Sequence, residues 1–275
     1  MTSLLVIGGG NMGAAILRGG VAKGLLAPAR VCIIEPDAAK HQEFTALGAA
    51  CHTELALGAE WWRNQKEAQV LLAVKPQMLN TVAERWKACG LHAWSGIIIT
   101  ILAGVPGARV REALGPGTRI VRAMPNLPAA IGEGATALCA SAGARREDAV
   151  FAQRLFAGIG PVVVQMNEEM IDAFTACAGS GPAYVFALAE AMQAAAQWQG
   201  FDAATARGMV VQTIKGAALM MERSDEAAAE LRARVTSKGG TTEAALAAMM
   251  AGGFASSISE GMDAALRRAG ELAKV

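Results

Sequence analysis

Apolar residues fall first into short blocks that would be apolar on both faces of an extended strand. SLLVI at 3–7 runs straight into Gly8, Gly9 and Gly10, and a helical pattern follows from about Met12 to Lys23. VCIIE at 31–35 is a second block, with Pro36 and Asp37 opening the next helix. VLLAV at 70–74 ends at Lys75-Pro76, IIITI at 97–101 at Ala103-Gly104, and RIVRA at 119–123 at Met124, Pro125 and Asn126. Strands apolar on both sides, alternating with helical patterns, predict an α/β fold with a parallel sheet under helical cover. Shorter runs at 135–139 and 161–164 extend that sheet.

The pattern changes near residue 165. The stretches 167–178, 182–198, 203–222 and 241–272 all read as helix, and no strong strand run returns. Ser180-Gly181-Pro182 is a break and a helix start, because proline suits the first helical turn. Gly239-Gly240 marks another break before Thr241. Two domains are therefore expected, a sheet domain over 1–165 and an all-helical domain over 166–275.

Composition narrows the class. The 275 residues are 53% hydrophobic and 18% charged, which argues against disorder. Lys+Arg total 25 against 24 Asp+Glu, so no basic surplus points to nucleic acid. The five cysteines, at 32, 51, 89, 139 and 177, are scattered and never form C-x-x-C. That pattern favours reduced thiols and a cytoplasmic location over a disulfide framework. The start, MTSLLVIGGG, lacks a secretory pattern, and no apolar run is long enough for a membrane span. His41, His52 and His92 show no metal-ligand spacing, so no metal is expected. Trp61-Trp62 carries no assigned chemistry; a surface wedge, a subunit contact and a local core all fit.

The first candidate site is the loop after the first strand. Gly8, Gly10 and Gly13 match G-x-G-x-x-G between a strand and a helix, the context a dinucleotide-binding turn requires. Gly8 permits the tight turn, Gly10 lets a pyrophosphate approach the backbone, and Gly13 lets helix and strand pack closely. The helix N-terminus then stabilises the phosphate charge. Glu35, ending the second strand, is placed to accept the adenosine ribose hydroxyls and to repel a 2′-phosphate, which favours NADH. Its alternatives are an outward side chain or a cap for the helix after Pro36. Lys75-Pro76 and Ala103-Gly104 lie at strand C-termini, where open sheets bind ligands, and small residues at 103–104 leave room for a nicotinamide ring.

The second candidate lies at 231–243, LRARVTSKGGTTE. Thr236, Ser237, Gly239, Gly240, Thr241 and Thr242 fall in one turn before a helix, where hydroxyls and free amides can hold a carboxylate. Capping of the helix by Thr241 or Thr242 is the plainer alternative.

Five segments together resemble the pyrroline-5-carboxylate reductase family: IGGGNMGAAI at 7–16, LLAVKPQ at 71–77, RAMPNLPAAIGEG at 122–134, AGSGPAYVFALAEAM at 178–192 and VTSKGGTTEAAL at 235–246. The resemblance spans nearly the whole chain. It implies an N-terminal Rossmann-like domain, a helical C-terminal dimerisation domain, and NADPH- or NADH-dependent reduction of a small anionic cyclic imine, 1-pyrroline-5-carboxylate, to L-proline. It implies cofactor contacts from Gly8, Gly10, Asn11, Met12, Gly13, Glu35, Ala73, Lys75, Pro76, Ala103, Asn126 and Pro128. It implies substrate contacts from Ser237, Gly240, Thr241 and Thr242, with Thr242 on the ring nitrogen as the catalytic group, and a homodimer or an assembly of dimers. Lys238 replaces the family's usual proline, and D225-E-A-A replaces its E-x-H-P. A hydroxyacid dehydrogenase of similar layout would need a basic residue in SGPAYVFALAEAM, which has neither lysine nor histidine.

Overall fold

Alternation along each strand sends neighbouring side chains to opposite faces of the sheet. Leu4, Val6, Ile33, Leu71 and Ile99 lie in one buried cluster, and Leu5, Ile7, Ile34, Val70, Leu72 and Ile98 in the other. The protein, a computed structural model, is described over residues 2–65 and 68–272. The elements of the sheet half are β1 (Ser3–Ile7), α1 (Asn11–Ala22), β2 (Val31–Ile34), α2 (His41–Ala46), β3 (Ala50–His52), α3 (Leu55–Arg63), β4 (Ala68–Leu72) and α4 (Leu79–Ala88). They continue as β5 (Ile97–Thr100), α5 (Gly107–Leu114), β6 (Arg119–Pro125), β7 (Ala135–Ala140), α6 (Val150–Ala157), β8 (Val162–Gln165) and α7 (Ile171–Phe174). The helical half holds α8 (Gly181–Trp198), α9 (Ala203–Glu222), α10 (Ala228–Arg234), α11 (Thr241–Ala251) and α12 (Phe254–Leu272).

The eight strands form one sheet in the order β3-β2-β1-β4-β5-β6-β7-β8. All pairs are parallel except β6 with β7, which is antiparallel. The expected parallel sheet is thus present, with one antiparallel pair. The reason is length: residues 126–134 are too few for the parallel crossover, which needs roughly a dozen residues or more. β3 was not anticipated, because its three residues, Ala-Cys-His, have no buried apolar run. α1 and α6 supply the cover on one face, while α3, α4 and α5 cover the other. α7 lies over β7, where Ile171 packs with Ala137 and Cys139. Buried Cys32 behaves as a small core residue: burial, then the neighbouring Cys51, pushes its thiol pKa up to about 12.

Two compact units divide the chain. One is residues up to Ser180 with the chain from Ala265 onward, and the other is Gly181–Ala264. The spatial division therefore falls later than the loss of strand pattern near 165, because the segment after β8 packs on the sheet. That segment is a 3₁₀ turn at Glu168–Met170, α7, and a π-helical turn at Thr175–Gly179, rather than one regular helix. The long helical stretch at 241–272 is broken at Gly252-Gly253, where Gly253 adopts φ +83°. α10 is an addition to the expected elements.

Trp61-Trp62 proves to be local core. Trp62 packs edge-on to Trp94 with ring centroids 4.7 Å apart, and Trp86 lies 5.8 Å from Trp94. Trp61 packs against the same cluster. Gly96 is bare beside Trp94, because a Cβ there would collide with the indole ring. The indole N–H groups of Trp62 and Trp86 have no hydrogen-bond partner among the described residues, so apolar burial and ring contacts carry this cluster. Trp86→Ala is expected to cost about 3–5 kcal/mol of stability, read as a lower urea midpoint. An unchanged midpoint would remove the tryptophan cluster from the core.

Candidate dinucleotide and carboxylate sites

The C-terminal ends of β1, β2, β4, β5 and β6 gather the first candidate set along one edge of the sheet. Gly8 has φ +105°, and a Cβ on it would lie 2.6 Å from the Ala73 carbonyl oxygen. A Cβ on Gly13 would lie 2.6 Å from the Gly8 carbonyl oxygen. Both glycines are therefore required by backbone packing: β1 against β4, and α1 against the loop. Gly10 differs. It precedes α1 as its N-cap, with φ −71°, and nothing lies within 4 Å of where its Cβ would be. The bare face at Gly10 opens beside the first amides of α1, which have no intrahelical acceptors. That is the arrangement an anion needs. Asn11 is exposed and Met12 half-buried in the first turn of α1, with Met12 against the core.

Glu35 turns inward. Its Oε2 accepts the Gly9 N–H at 2.8 Å and its Oε1 accepts the Asp37 N–H at 2.9 Å. Lys40 Nζ lies 3.9 Å from Glu35 Oε1 and 3.9 Å from Asp37 Oδ2. His41 Nε2 is 2.7 Å from the Glu35 carbonyl oxygen. The carboxylate thus ties the glycine loop to the end of β2. Neither alternative reading holds: the side chain is buried, and Asp37 caps the following turn through Ala39 N–H.

Ala73 is held by its N–H to the Ile7 carbonyl at 2.8 Å, and Lys75 stands exposed ahead of half-buried Pro76. Ala103 and Gly104 are half-buried after β5, with Gly104 at φ +71°. Asn126, at the end of β6, accepts the Ala135 N–H at 2.9 Å and donates Nδ2–H to the Ala178 carbonyl at 3.0 Å. It therefore braces β7 and the π-helical turn, with Pro128 half-buried in the turn that follows.

In the second unit, the turn before α11 is built around two glycines. Gly239 has φ +72°, and its N–H goes to Glu243 Oε2 at 2.7 Å. A Cβ on Gly240 would collide with the Ser237 hydroxyl. Gly240 is the N-cap of α11 and no side chain caps that helix. Thr241 and Thr242 are its first residues, so neither threonine serves as the cap. Their backbone amides, like that of Glu243, lack intrahelical acceptors. Ser237 and Thr241 are exposed and Thr242 half-buried, while Lys238 is exposed. Among the described residues, no group of three His, Cys, Asp or Glu side chains could hold a metal ion.

A parallel-dominated sheet, a glycine turn opening onto a helix N-terminus and an acidic residue just after β2 define a protein of the dinucleotide-binding class. A family model described as NADP oxidoreductase, coenzyme F420-dependent, matches residues 3–104, and one for pyrroline-5-carboxylate reductase dimerisation matches residues 168–272. The pyrroline-5-carboxylate reductase of Synechocystis is 36% identical over 98% of this chain and 97% of its own. That of Haemophilus influenzae is 38% identical over 97% of this chain and 96% of its own. The solved structure of a pyrroline-5-carboxylate reductase from Coxiella burnetii superposes with a TM-score of 0.88 at 34% identity, covering 99% of both chains. The chain belongs to the pyrroline-5-carboxylate reductase family, NAD(P)H-dependent oxidoreductases. No helix among the described residues is long and apolar enough to cross a membrane.

Sequence reasoning missed three parts of these sites. Gly9 packs its bare face against the Phe44 ring and Glu35, a contact made by residues far apart in sequence. Lys40 stands beside the two carboxylates after β2, one helical turn beyond the residues considered. Glu168 reaches back to the start of α5. Gly10→Ala is expected to leave stability within about 1 kcal/mol, as at an N-cap with room for a methyl, yet to weaken dinucleotide binding. Gly8→Ala should lower the melting temperature sharply. Equal behaviour of the two variants in melting and in dinucleotide titration would contradict this division of roles.

Proposed function

We propose that this chain reduces 1-pyrroline-5-carboxylate to L-proline, the last step of proline synthesis, with NADH preferred over NADPH. The observation that carries the reading is the presence, in one member of this family, of an open glycine cradle and an uncapped, glycine-led turn rich in hydroxyls. When bound, the reduced nicotinamide supplies a hydride to C5 of the imine. Gly8, Gly10, Asn11, Met12 and Gly13 hold the pyrophosphate. Ala73, Lys75 and Pro76 line the path from adenosine to nicotinamide, and Ala103, Asn126 and Pro128 lie beside the nicotinamide. Glu35 reads the adenosine ribose. Its two backbone contacts supply an acceptor that is already oriented, and its negative charge disfavours a 2′-phosphate.

Ser237, Gly240, Thr241 and Thr242 hold the substrate. The free amides at the start of α11 carry the positive end of a helix dipole, which suits a carboxylate. The Thr242 hydroxyl positions the ring nitrogen as the catalytic group. A protonated C=N is already electrophilic, so this set needs no histidine or cysteine acid, and positioning supplies much of the rate.

A second copy of this chain is the proposed partner, closing a dimer or an assembly of dimers. Support comes from exposed large apolar side chains on the helical unit, with Phe186 at 60% and Trp198 at 90% relative exposure. No nucleic-acid or membrane partner is proposed. Five free thiols favour the reducing cytoplasm.

Reduction of the imine with NADH and NADPH in parallel tests the reading, with the higher kcat/KM expected for NADH. Thr242→Ala should lower turnover or raise KM for the imine while leaving dinucleotide binding nearly intact; unchanged kinetics would take Thr242 out of the site. Glu35→Ser should weaken NADH and relieve discrimination against NADPH. If the cofactor ratio stays the same, Glu35 serves only to brace the loop.

A further inference from the structure

Four segments of the first unit meet at the carboxylate of Glu168. Its Oε1 accepts the Gly107 N–H at 2.7 Å and an Arg122 Nη1–H at 2.9 Å. Its Oε2 accepts the Ser141 hydroxyl. Gly107 begins α5, Arg122 lies within β6, and Ser141 follows β7. A Cβ on Gly107 would collide with the Ser141 side chain, so the cluster closes only on bare backbone. The Arg122 side chain is 7% exposed. Without Glu168 it would be a buried charge lacking its carboxylate, a costly state. Burial raises the Glu168 pKa, but the bonds from Gly107, Ser141 and Arg122 outweigh that and hold it below the usual carboxylate value.

The segment held by this carboxylate is 101–106, between β5 and α5, which carries Ala103 and Gly104. Its ends are tied by backbone bonds, Ile101 N–H to the Leu72 carbonyl at 3.1 Å and the Pro106 carbonyl to the N–H groups of Arg109 and Val110 at 3.0 and 3.2 Å, while the bonds between those ends are long. Leu102 N–H reaches Thr100 Oγ1 at 3.4 Å, and Val105 N–H reaches the Leu102 carbonyl at 3.4 Å. Beyond the first turn of α5 itself, the far end of the loop is tied across to Glu168 by the Gly107 amide. Glu168 itself sits on a firmly seated segment. Ile171 is buried against β7, and the Ala178 carbonyl accepts from Asn126.

We propose that Glu168 is a positioning residue for hydride transfer, holding the 101–106 loop so that Ala103 and Gly104 form a fixed wall beside the nicotinamide. The proposal rests on the reading of Ala103 as a nicotinamide neighbour. Glu168 touches neither substrate nor cofactor in this role; it acts through the start of α5.

The test compares Glu168→Ala, Glu168→Gln and Ser141→Ala in the full chain. Melting temperature, kcat and KM for the imine and the reduced dinucleotide are measured, together with nicotinamide fluorescence of the enzyme–NADH complex without imine. Glu168→Ala is expected to lower kcat by about tenfold or more, as loss of alignment does, with dinucleotide KM changed far less. Its bound nicotinamide should show altered emission. Glu168→Gln keeps an acceptor for the Gly107 amide and should recover part of kcat. Wild-type kcat and emission in folded Glu168→Ala would overturn the proposal. If that variant does not fold, kcat losses in Glu168→Gln and Ser141→Ala that merely track the folded fraction would also overturn it. Should the wild-type protein bind NADH but not reduce the imine, the proposed function fails, while the emission of bound nicotinamide still decides the role of Glu168.

Discussion

The nucleotide half of this protein depends on one close approach of backbone to backbone. At the end of β1 the chain turns through Gly8 against the Ala73 carbonyl, and α1 then starts with Gly13 against the Gly8 carbonyl. Two successive contacts of this kind leave no room for side chains. They fix the direction of α1 relative to β1 and β4, and so decide where its unpaired amides point. The glycine beside them, Gly10, has no packing neighbour. The same short loop therefore contains glycines imposed by the fold and one with open space beside it.

Charged groups in the first unit follow a related rule. Glu35 and Glu168 both bring a carboxylate to backbone amides at turns leading into or beside helices. Each ties a loop at the C-terminal edge of the parallel strands to a part of the sheet distant in sequence. Buried or half-buried carboxylates are tolerable there because hydrogen bonds from amides, a hydroxyl or a guanidinium satisfy their oxygens. Asn126 does the same with a neutral side chain, joining the end of β6 to β7 and to the π-helical turn. The loops around the candidate nicotinamide position are thereby fastened from beneath.

The helical unit is organised differently. α8 has no buried residue, and α9 buries only Ala206 and Val210. Small side chains with scattered large apolar ones form surfaces that one chain does not cover. Membership of a family with a dimerisation domain accounts for this composition, since apolar area left exposed by one protomer can be buried by a second. The first amides of α11, in the same unit, stay uncapped, because Gly240 occupies the N-cap position where serine, threonine or aspartate would otherwise satisfy them.

Much of this was legible along the chain. Five strand blocks, the glycine turn, Glu35 at a strand end and the SKGGTT turn follow from periodicity and from residue types with narrow backbone roles. Other features were not legible, for reasons of distance and length. β3 is too short to show a period, and the antiparallel β7 depends on the length of a connection rather than on strand pattern. Gly252-Gly253 interrupts a stretch whose apolar content alone reads as one helix. For Trp61-Trp62 the sequence left surface, subunit contact and local core open, and only Trp86 and Trp94, brought from α4 and the approach to β5, make the pair core. What local sequence decides here is backbone conformation and strand burial, because these depend on neighbouring residues. Which carboxylate braces which loop, and which glycine is required bare by packing, was decided only in the folded chain. Those roles depend on atoms dozens of residues away, and only the packing of the sheet brings such atoms within hydrogen-bonding distance.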